Sequence, residues 1–175
     1  MYIFIVAALS TLLTGQNRLD YGCILYNNDK VEQIQLKQIG CYVGENIKMK
    51  KFFGFADMTV SEQIHFGIHH GLSYSNSISD IKKLFHLSDG RLNRKFKFVG
   101  VERWRISMAI GYAMGKSVYC FPWMNSDTVI KLENILADCL FPLINVGVII
   151  FIPTTSYKKI SDIIKPYSPI VIGNV

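Results

Sequence analysis

Gly100-Val-Glu-Arg-Trp-Arg105 opens a stretch of helical periodicity, and the apolar run Val118-Tyr-Cys-Phe121 follows it, closed by Pro122-Trp123. The reading of this stretch decides the fold. In Glu102–Met114, the residues Ile106, Ala109, Ile110 and Ala113 recur at three- and four-residue steps, which predicts a helix with one buried face. Val118–Phe121 is continuously rather than alternately hydrophobic, which predicts a strand covered on both faces, as in a parallel sheet.

The same two patterns extend outward along the chain. Short, wholly apolar, β-branched runs recur at Ile3–Val6, Val148–Ile152 and Ile170–Ile172. Between them, Thr128–Phe141 carries Val129, Leu132, Ile135, Leu136 and Leu140 on one helical face. Strands alternating with helices predict an α/β fold, a mostly parallel sheet with flanking crossover helices. Two stretches break the rhythm. Residues 48–57 form a basic-aromatic loop, and residues 72–80 are polar and end in a helix cap before Ile81. Met58–Leu72 between them reads as helical, so about residues 58–98 are expected to form a small helical lobe within one domain spanning 1–175.

At 50% hydrophobic and 18% charged residues, a chain of 175 residues can bury a sizeable core, which excludes a disordered protein. The net charge of +6 suits an anionic partner, whether phosphate, nucleic acid or lipid headgroup, without selecting among them. Arg91, Arg94, Lys95 and Lys97 cluster just before Gly100 and read as a solvated charged loop. The four cysteines show no C-x-x-C pair, and Cys120 and Cys139 sit in apolar runs, which points to free buried thiols in a reducing compartment. The apolar N-terminus has no Lys or Arg before it, which reads against a signal peptide. Cys139–Pro153 is interrupted by Pro142, Asn145 and Gly147 and is shorter than the ~20 residues a membrane span requires. No span is expected.

The order of these pieces resembles a nucleotide-binding domain of ATP-binding cassette (ABC) transporters, most of all the white-type and pleiotropic-drug-resistance (G) subfamily. Ser10-Thr-Leu-Leu13, Gly15 and Leu19–Leu25 resemble the family's K-S-T-L-L … G … G-x-I-L run. Gln38–Val43 resembles the strand leading into the Q-loop, with Glu45 where glutamine is usual. Met58-Thr-Val-Ser-Glu-Gln-Ile-His-Phe66 is similar to L-T-V-x-E-x-L-x-F, and Gly100–Ser107 to G-G-E-R-x-R-x-S. Gly147–Ser156 looks like the strand ending in the switch histidine, and Ile170–Gly173 like the strand after it. The resemblance implies a P-loop NTPase-like sheet whose first strands are missing from this N-terminally truncated chain. It also implies ATP and magnesium as cofactors and a membrane domain or second nucleotide-binding subunit as partner, in a homo- or heterodimer. Nucleic acid is not expected. The implied location is cytoplasmic, peripheral to a membrane through the partner.

The working residues of that family are replaced. A phosphate loop needs glycines for backbone approach and a lysine to neutralise charge. Ile3, Val6 and Ala8 stand for the glycines and Leu9 for the lysine. Pro122 and Trp123 stand where the Walker B acid and the catalytic glutamate belong, Val99 and Val101 replace the signature serine and second glycine, and Pro153 replaces the switch histidine. The chain is therefore expected to have lost hydrolysis or to retain it very weakly. Residual nucleotide or magnesium contacts would fall to Ser10, Thr11 and Glu45, and the partner-facing signature region to Gly100, Glu102 and Arg103.

Other chemistry is thin. His65 and His69 lie four apart on a helix, but no sequence neighbour completes a zinc set and a surface or packing role is expected. Trp104 reads as core-edge packing ahead of a partner contact. Two rival readings remain: an interaction module that binds a transporter subunit without nucleotide, and a small secreted protein whose first fifteen or so residues are cleaved.

Overall fold

The computed structural model describes residues 9–17, 24–26, 29–46, 58–70, 72–165 and 167. The apolar runs Ile3–Val6 and Ile170–Ile172, the glycine replacements at 3, 6 and 8, and the loop 48–57 lie outside these residues. The described chain begins in a helical turn, α1 (9–13), followed by an antiparallel hairpin, β1 (Ile24–Tyr26) and β2 (Asp29–Val31). Next come α2 (Gln33–Ile39), β3 (Gly40–Tyr42), α3 (Val60–His70), α4 (Ile78–Leu84) and α5 (Asp89–Leu92). Two 3-10 turns, Phe96–Phe98 and Gly100–Glu102, lead into α6 (Arg103–Ala113), β4 (Val118–Cys120), α7 (Ser126–Asn145), β5 (Ile149–Phe151) and α8 (Tyr157–Ile163).

The sheet is parallel, ordered β3-β4-β5, with Cys41 opposite Tyr119 and Tyr119 opposite Ile150. The ladder continues past the strand ends, where Val43 N–H donates to the Cys120 carbonyl (2.9 Å) and Phe121 N–H to the Phe151 carbonyl (2.9 Å). Tyr119 and Cys120 on the middle strand are fully buried, as continuous hydrophobicity predicts. β5 departs from that expectation. Ile149 is 58% exposed, because among the described residues this strand has a neighbour on one side only.

Helix starts follow local chemistry. Thr59 and Glu62 form a reciprocal cap on α3: the Glu62 carboxylate accepts from Thr59 N–H (2.8 Å) and the Thr59 hydroxyl accepts from Glu62 N–H (3.2 Å). Asn125 caps α7 by accepting from Thr128 N–H (2.8 Å). Three boundaries differ from the sequence reading. α4 starts at Ile78, capped by Ser77 accepting from Ser79 N–H, so the cap falls earlier than the position before Ile81. Gln38 and Ile39 belong to α2, and the strand expected from Gln38 begins only at Gly40. α7 runs through Pro142, which has no N–H to return to the turn before it. The helix survives that lost bond because Leu143, one step on, is fully buried, and it ends where Gly147 takes a φ of 75°.

The core centres on α6. Sequence periodicity gave it one buried face, yet Arg105 through Ala113 are all buried. β3 covers one side of this helix, and α3, α4 and α7 pack on the others. The approach to α3 is close: a Cβ on Gly67 would stand 2.8 Å from the Ala113 carbonyl carbon. α7 delivers the predicted face, with Val129, Leu132, Ile135, Leu136 and Leu140 all buried. At the lower end of the sheet the buried Lys116 ammonium donates to the carbonyls of Lys37 and Gln38 (2.7 Å each), placing a cation on the last turn of α2.

Cys41, Cys120 and Cys139 are free and buried, and burial pushes each thiol up to about 12. An unfolded thiol ionises near 9.0, so between that pH and 12 the unfolded chain releases protons that the folded one keeps. Stability contributed by these thiols is present below pH 9 and is lost as pH rises through that window. We expect the melting midpoint to fall steadily over it, and these three thiols to react with a disulfide reagent at pH 8 only at the rate of unfolding. Rapid labelling of Cys41 in native protein, located by mass spectrometry, would contradict this burial.

Candidate functional site

The C-terminal end of the sheet gathers four segments. α1 arrives there through Ser10, whose fully buried hydroxyl donates to the Phe121 carbonyl at 2.8 Å. The two residues are 111 positions apart in sequence. This contact puts the start of α1 beside the end of β4, where Pro122 and Trp123 follow. Pro153 stands at the end of the adjacent strand, its carbonyl accepting from Met124 N–H (2.9 Å).

Thr11 and Glu45 are at the same end, each engaged by a neighbouring amide. Asn17 Nδ2 donates to Thr11 Oγ1 (2.8 Å), and Gln16 Nε2 donates to Glu45 Oε2 (3.0 Å). Gln16 thereby ties the turn after α1 to the turn after β3. Burial, reinforced by the Glu45 carboxylate and by Cys120, pushes the Tyr42 phenol above its usual range.

α6 reaches this end with Trp104. Its indole stacks on Phe121, ring centroids 6.2 Å apart and planes 17° from parallel, and it lies 3.6 Å from where a Cβ on Gly44 would be. Ser107, one turn on, accepts from Gly44 N–H (2.7 Å) and donates to the Trp104 carbonyl (2.9 Å). Sequence reasoning gave Trp104 an edge-packing role and Ser107 none beyond its place in the G-G-E-R-x-R-x-S-like run. The serine in that run was the one signal for a tie to β3.

Gly100, Glu102 and Arg103 point elsewhere. Gly100 has a φ of 58° and nothing within 4 Å of a Cβ built on it. Arg103 is exposed. Glu102 turns toward Arg105 Nε (3.5 Å) and Arg91 (3.8 Å). The histidine pair for which a surface or packing role is expected lies exposed on α3, with the His65 and His69 rings 6.4 Å apart and stacked. Among the described residues, no three His, Cys, Asp or Glu side chains gather in a way that could hold a metal ion.

This arrangement tests the fit of a magnesium nucleotide. The Ser10 hydroxyl proton is committed to a backbone carbonyl inside a fully buried contact. Proline and tryptophan follow that carbonyl where carboxylates would be needed, and the Glu45 carboxylate is held by an amide. Magnesium demands near-octahedral oxygen ligation, usually with carboxylate help. The described residues do not fit such a complex. What they make instead is a hydrogen-bonded and aromatic seam joining α1, β3, β4 and α6.

Neither the protein-family models nor the curated proteins give a match to this sequence. Solved structures do. The chain superposes with a TM-score of 0.57 on cbiO1 of Clostridium perfringens, part of the ABC transporter complex cbiONQ, at 14% identity over 84% of this chain and 61% of that one. It superposes with a TM-score of 0.57 on the ATP binding subunit of an ABC transporter, at 11% identity over 86% and 64%. A bacterial Atm1-family ABC exporter with ATP bound gives 0.56, at 15% identity over 89% and 28%. The chain spans less than two thirds of each of these proteins. Among the described residues, no helix is long and apolar enough to cross a membrane. A mixed α/β chain with a parallel sheet and flanking helices, this protein has the fold of ABC transporter ATP-binding subunits.

Proposed function

We propose that this chain is an ABC-type ATP-binding domain of the white-type pattern that has lost hydrolysis and serves as a binding scaffold. Residues 58–98 form its helical lobe within a single domain spanning 1–175. One observation carries the reading: the Ser10 hydroxyl is tied to the Phe121 carbonyl directly ahead of Pro122 and Trp123. The serine that would ligate magnesium in the family serves here to hold α1 against β4. No carboxylate follows to polarise a metal or orient water. The partner is a transporter membrane domain or a second nucleotide-binding subunit on the cytoplasmic side, in keeping with the complexes to which the similar structures belong.

Purified protein is expected to release no phosphate from Mg-ATP above the rate of a heat-denatured blank. Turnover that scales with protein and survives further purification would end this reading. Substituting Pro122→Asp and Trp123→Glu together is expected to leave turnover absent, since the lysine and histidine positions carry Leu9 and Pro153.

The committed Ser10 hydroxyl also favours a second reading, an interaction module with no nucleotide response. Thermal denaturation separates the two. A ligand at about 100 times its Kd adds about 2.7 kcal/mol to the native state, which raises the Tm of a domain this size by roughly 5–10 °C. A midpoint unmoved by millimolar Mg-ATP selects the interaction module, and a rise selects residual binding.

A further inference from the structure

α3 carries side chains on its outer face that the core does not use. Its inner face, Val60, Gln63, Ile64 and Gly67, is buried, and Gly67 sets the helix backbone against the end of α6. His65 and His69 are exposed one turn apart, with ring centroids 6.4 Å apart and planes 11° from parallel. In the row beside them Phe66 stacks on His70, centroids 4.3 Å apart. The two rows differ in how their nitrogens are engaged. His70 Nδ1 lies 3.2 Å from the Phe66 carbonyl, whereas among the described residues neither His65 nor His69 makes a hydrogen bond.

A helix holds residues four apart at about 5–6 Å between Cβ atoms, and two histidines at that spacing can close on one ion from the same face. With metal–nitrogen bonds of about 2.0–2.1 Å, two imidazoles on one ion have ring centroids roughly 5 Å apart. From 6.4 Å, rotation of two exposed side chains closes the pair and the backbone need not move. That backbone is already held, by the reciprocal cap of Thr59 and Glu62 at its start and by the close packing of Gly67.

We propose that His65 and His69 chelate one late first-row divalent cation, of the copper, nickel or zinc class. Imidazole suits these ions, and copper(II) binds most tightly among them, whereas magnesium and calcium ask for oxygen ligands. Among the described residues no third His, Cys, Asp or Glu joins the pair, so water fills the remaining positions and the ion exchanges readily. Glu62, one turn before His65, is not counted as a ligand. Its carboxylate accepts from the Thr59 N–H (2.8 Å) and hydroxyl (3.1 Å). The bound ion staples the last turns of α3 and stabilises the folded chain. The proposal goes beyond the scaffold reading and does not depend on it, since it uses no residue of the seam around Ser10 and Phe121.

Titration calorimetry of the whole, untagged chain with Ni2+ tests it. One equivalent of Ni2+ is expected to bind per chain, Cu2+ to bind more tightly, and millimolar Mg2+ to leave the Ni2+ affinity unchanged. His65→Gln or His69→Gln is expected to weaken Ni2+ binding about 100-fold, because in the parent the second imidazole binds intramolecularly at high effective concentration. His70→Gln leaves the affinity unchanged, since its ring is engaged by Phe66. Copper(II) bound to the parent is expected to show coupling to both imidazole nitrogens by electron paramagnetic resonance, and to a single one in either of the first two variants. All three histidines are exposed, so melting midpoints without metal are expected to stay put, while Ni2+ raises that of the parent and not those of His65→Gln and His69→Gln. The proposal is overturned if neither Ni2+ nor Cu2+ binds, or if the His65 and His69 variants bind as well as the parent. It is overturned equally if the chain takes up half an equivalent and dimerises, since the ion would then lie between copies and not on one helix.

Discussion

Arg105→Leu is expected to destabilise the fold by about 2–3 kcal/mol, the larger part of it from groups left behind. Arg105 is 8% exposed, and its guanidinium joins three elements. One terminal nitrogen donates to the Phe85 carbonyl (3.0 Å), the other to Asp138 on α7 (2.9 Å), and Nε lies 3.5 Å from Glu102 in an ionic contact without hydrogen-bond geometry. Phe85 closes α4, so its carbonyl has no partner within the helix and sits at the negative end of the helix dipole. Removing one partner of a fully buried ion pair costs about 3–5 kcal/mol. The Asp138 and Glu102 side chains are 38% and 21% exposed, and water reaching them lowers the figure here. Arg105→Lys is expected to recover less than half, because an ammonium cannot reach three acceptors in a fixed plane. Urea unfolding measures both. A loss below about 0.5 kcal/mol for the leucine variant would show that the cluster does not hold α4, α6 and α7 together.

Gly115→Val is expected to lower the Tm by about 10 °C, a cost of roughly 3 kcal/mol or more. Gly115 follows α6 with a φ of 65°, a region where a β-branched side chain is a genuine outlier. A Cβ there would overlap the Leu72 carbonyl oxygen. The obstacle is backbone, not the tip of a flexible side chain, so the segment after α3 would have to move away from the end of α6. Gly90→Val is the control, since Gly90 has nothing within 4 Å of its Cβ position. If the two variants melt within a degree or two of each other, the close crossing of these segments is wrong.

Much of the architecture can be read locally, for reasons visible in particular residues. Thr59-Val-Ser-Glu62 is a motif that is also a capping box, so the resemblance and the physics of a helix start coincide there. α7 declares itself through an apolar face at helical spacing, but not its length. Pro142 argues for a stop, and only the burial of Leu143 in the assembled core carries the helix past it. The apolar run at β4 forms the buried strand that its continuous hydrophobicity predicts. The matching run at β5 overstates its own burial, because coverage depends on which neighbours a strand receives.

The sequence by itself determined the alternation of α6, β4, α7 and β5, while the β1–β2 hairpin, α2, α5 and α8 carried no signal that was read, and it determined that Pro122, Trp123 and Pro153 offer no acid or histidine at the positions the resemblance marks. These follow from residue type and from spacing over a few positions. Only the tertiary structure decided that Ser10 bonds to the carbonyl just past β4, that Trp104 stacks on Phe121, that Arg105 gathers three helices, and that α6 is buried on every side from Arg105 to Ala113. Ser10 and Phe121 are 111 positions apart, and α6 meets elements from both halves of the chain. Periodicity reports which face of an element is apolar. It does not report how many neighbours arrive to cover the remaining faces, and that number sets whether a hydroxyl is a ligand or a rivet.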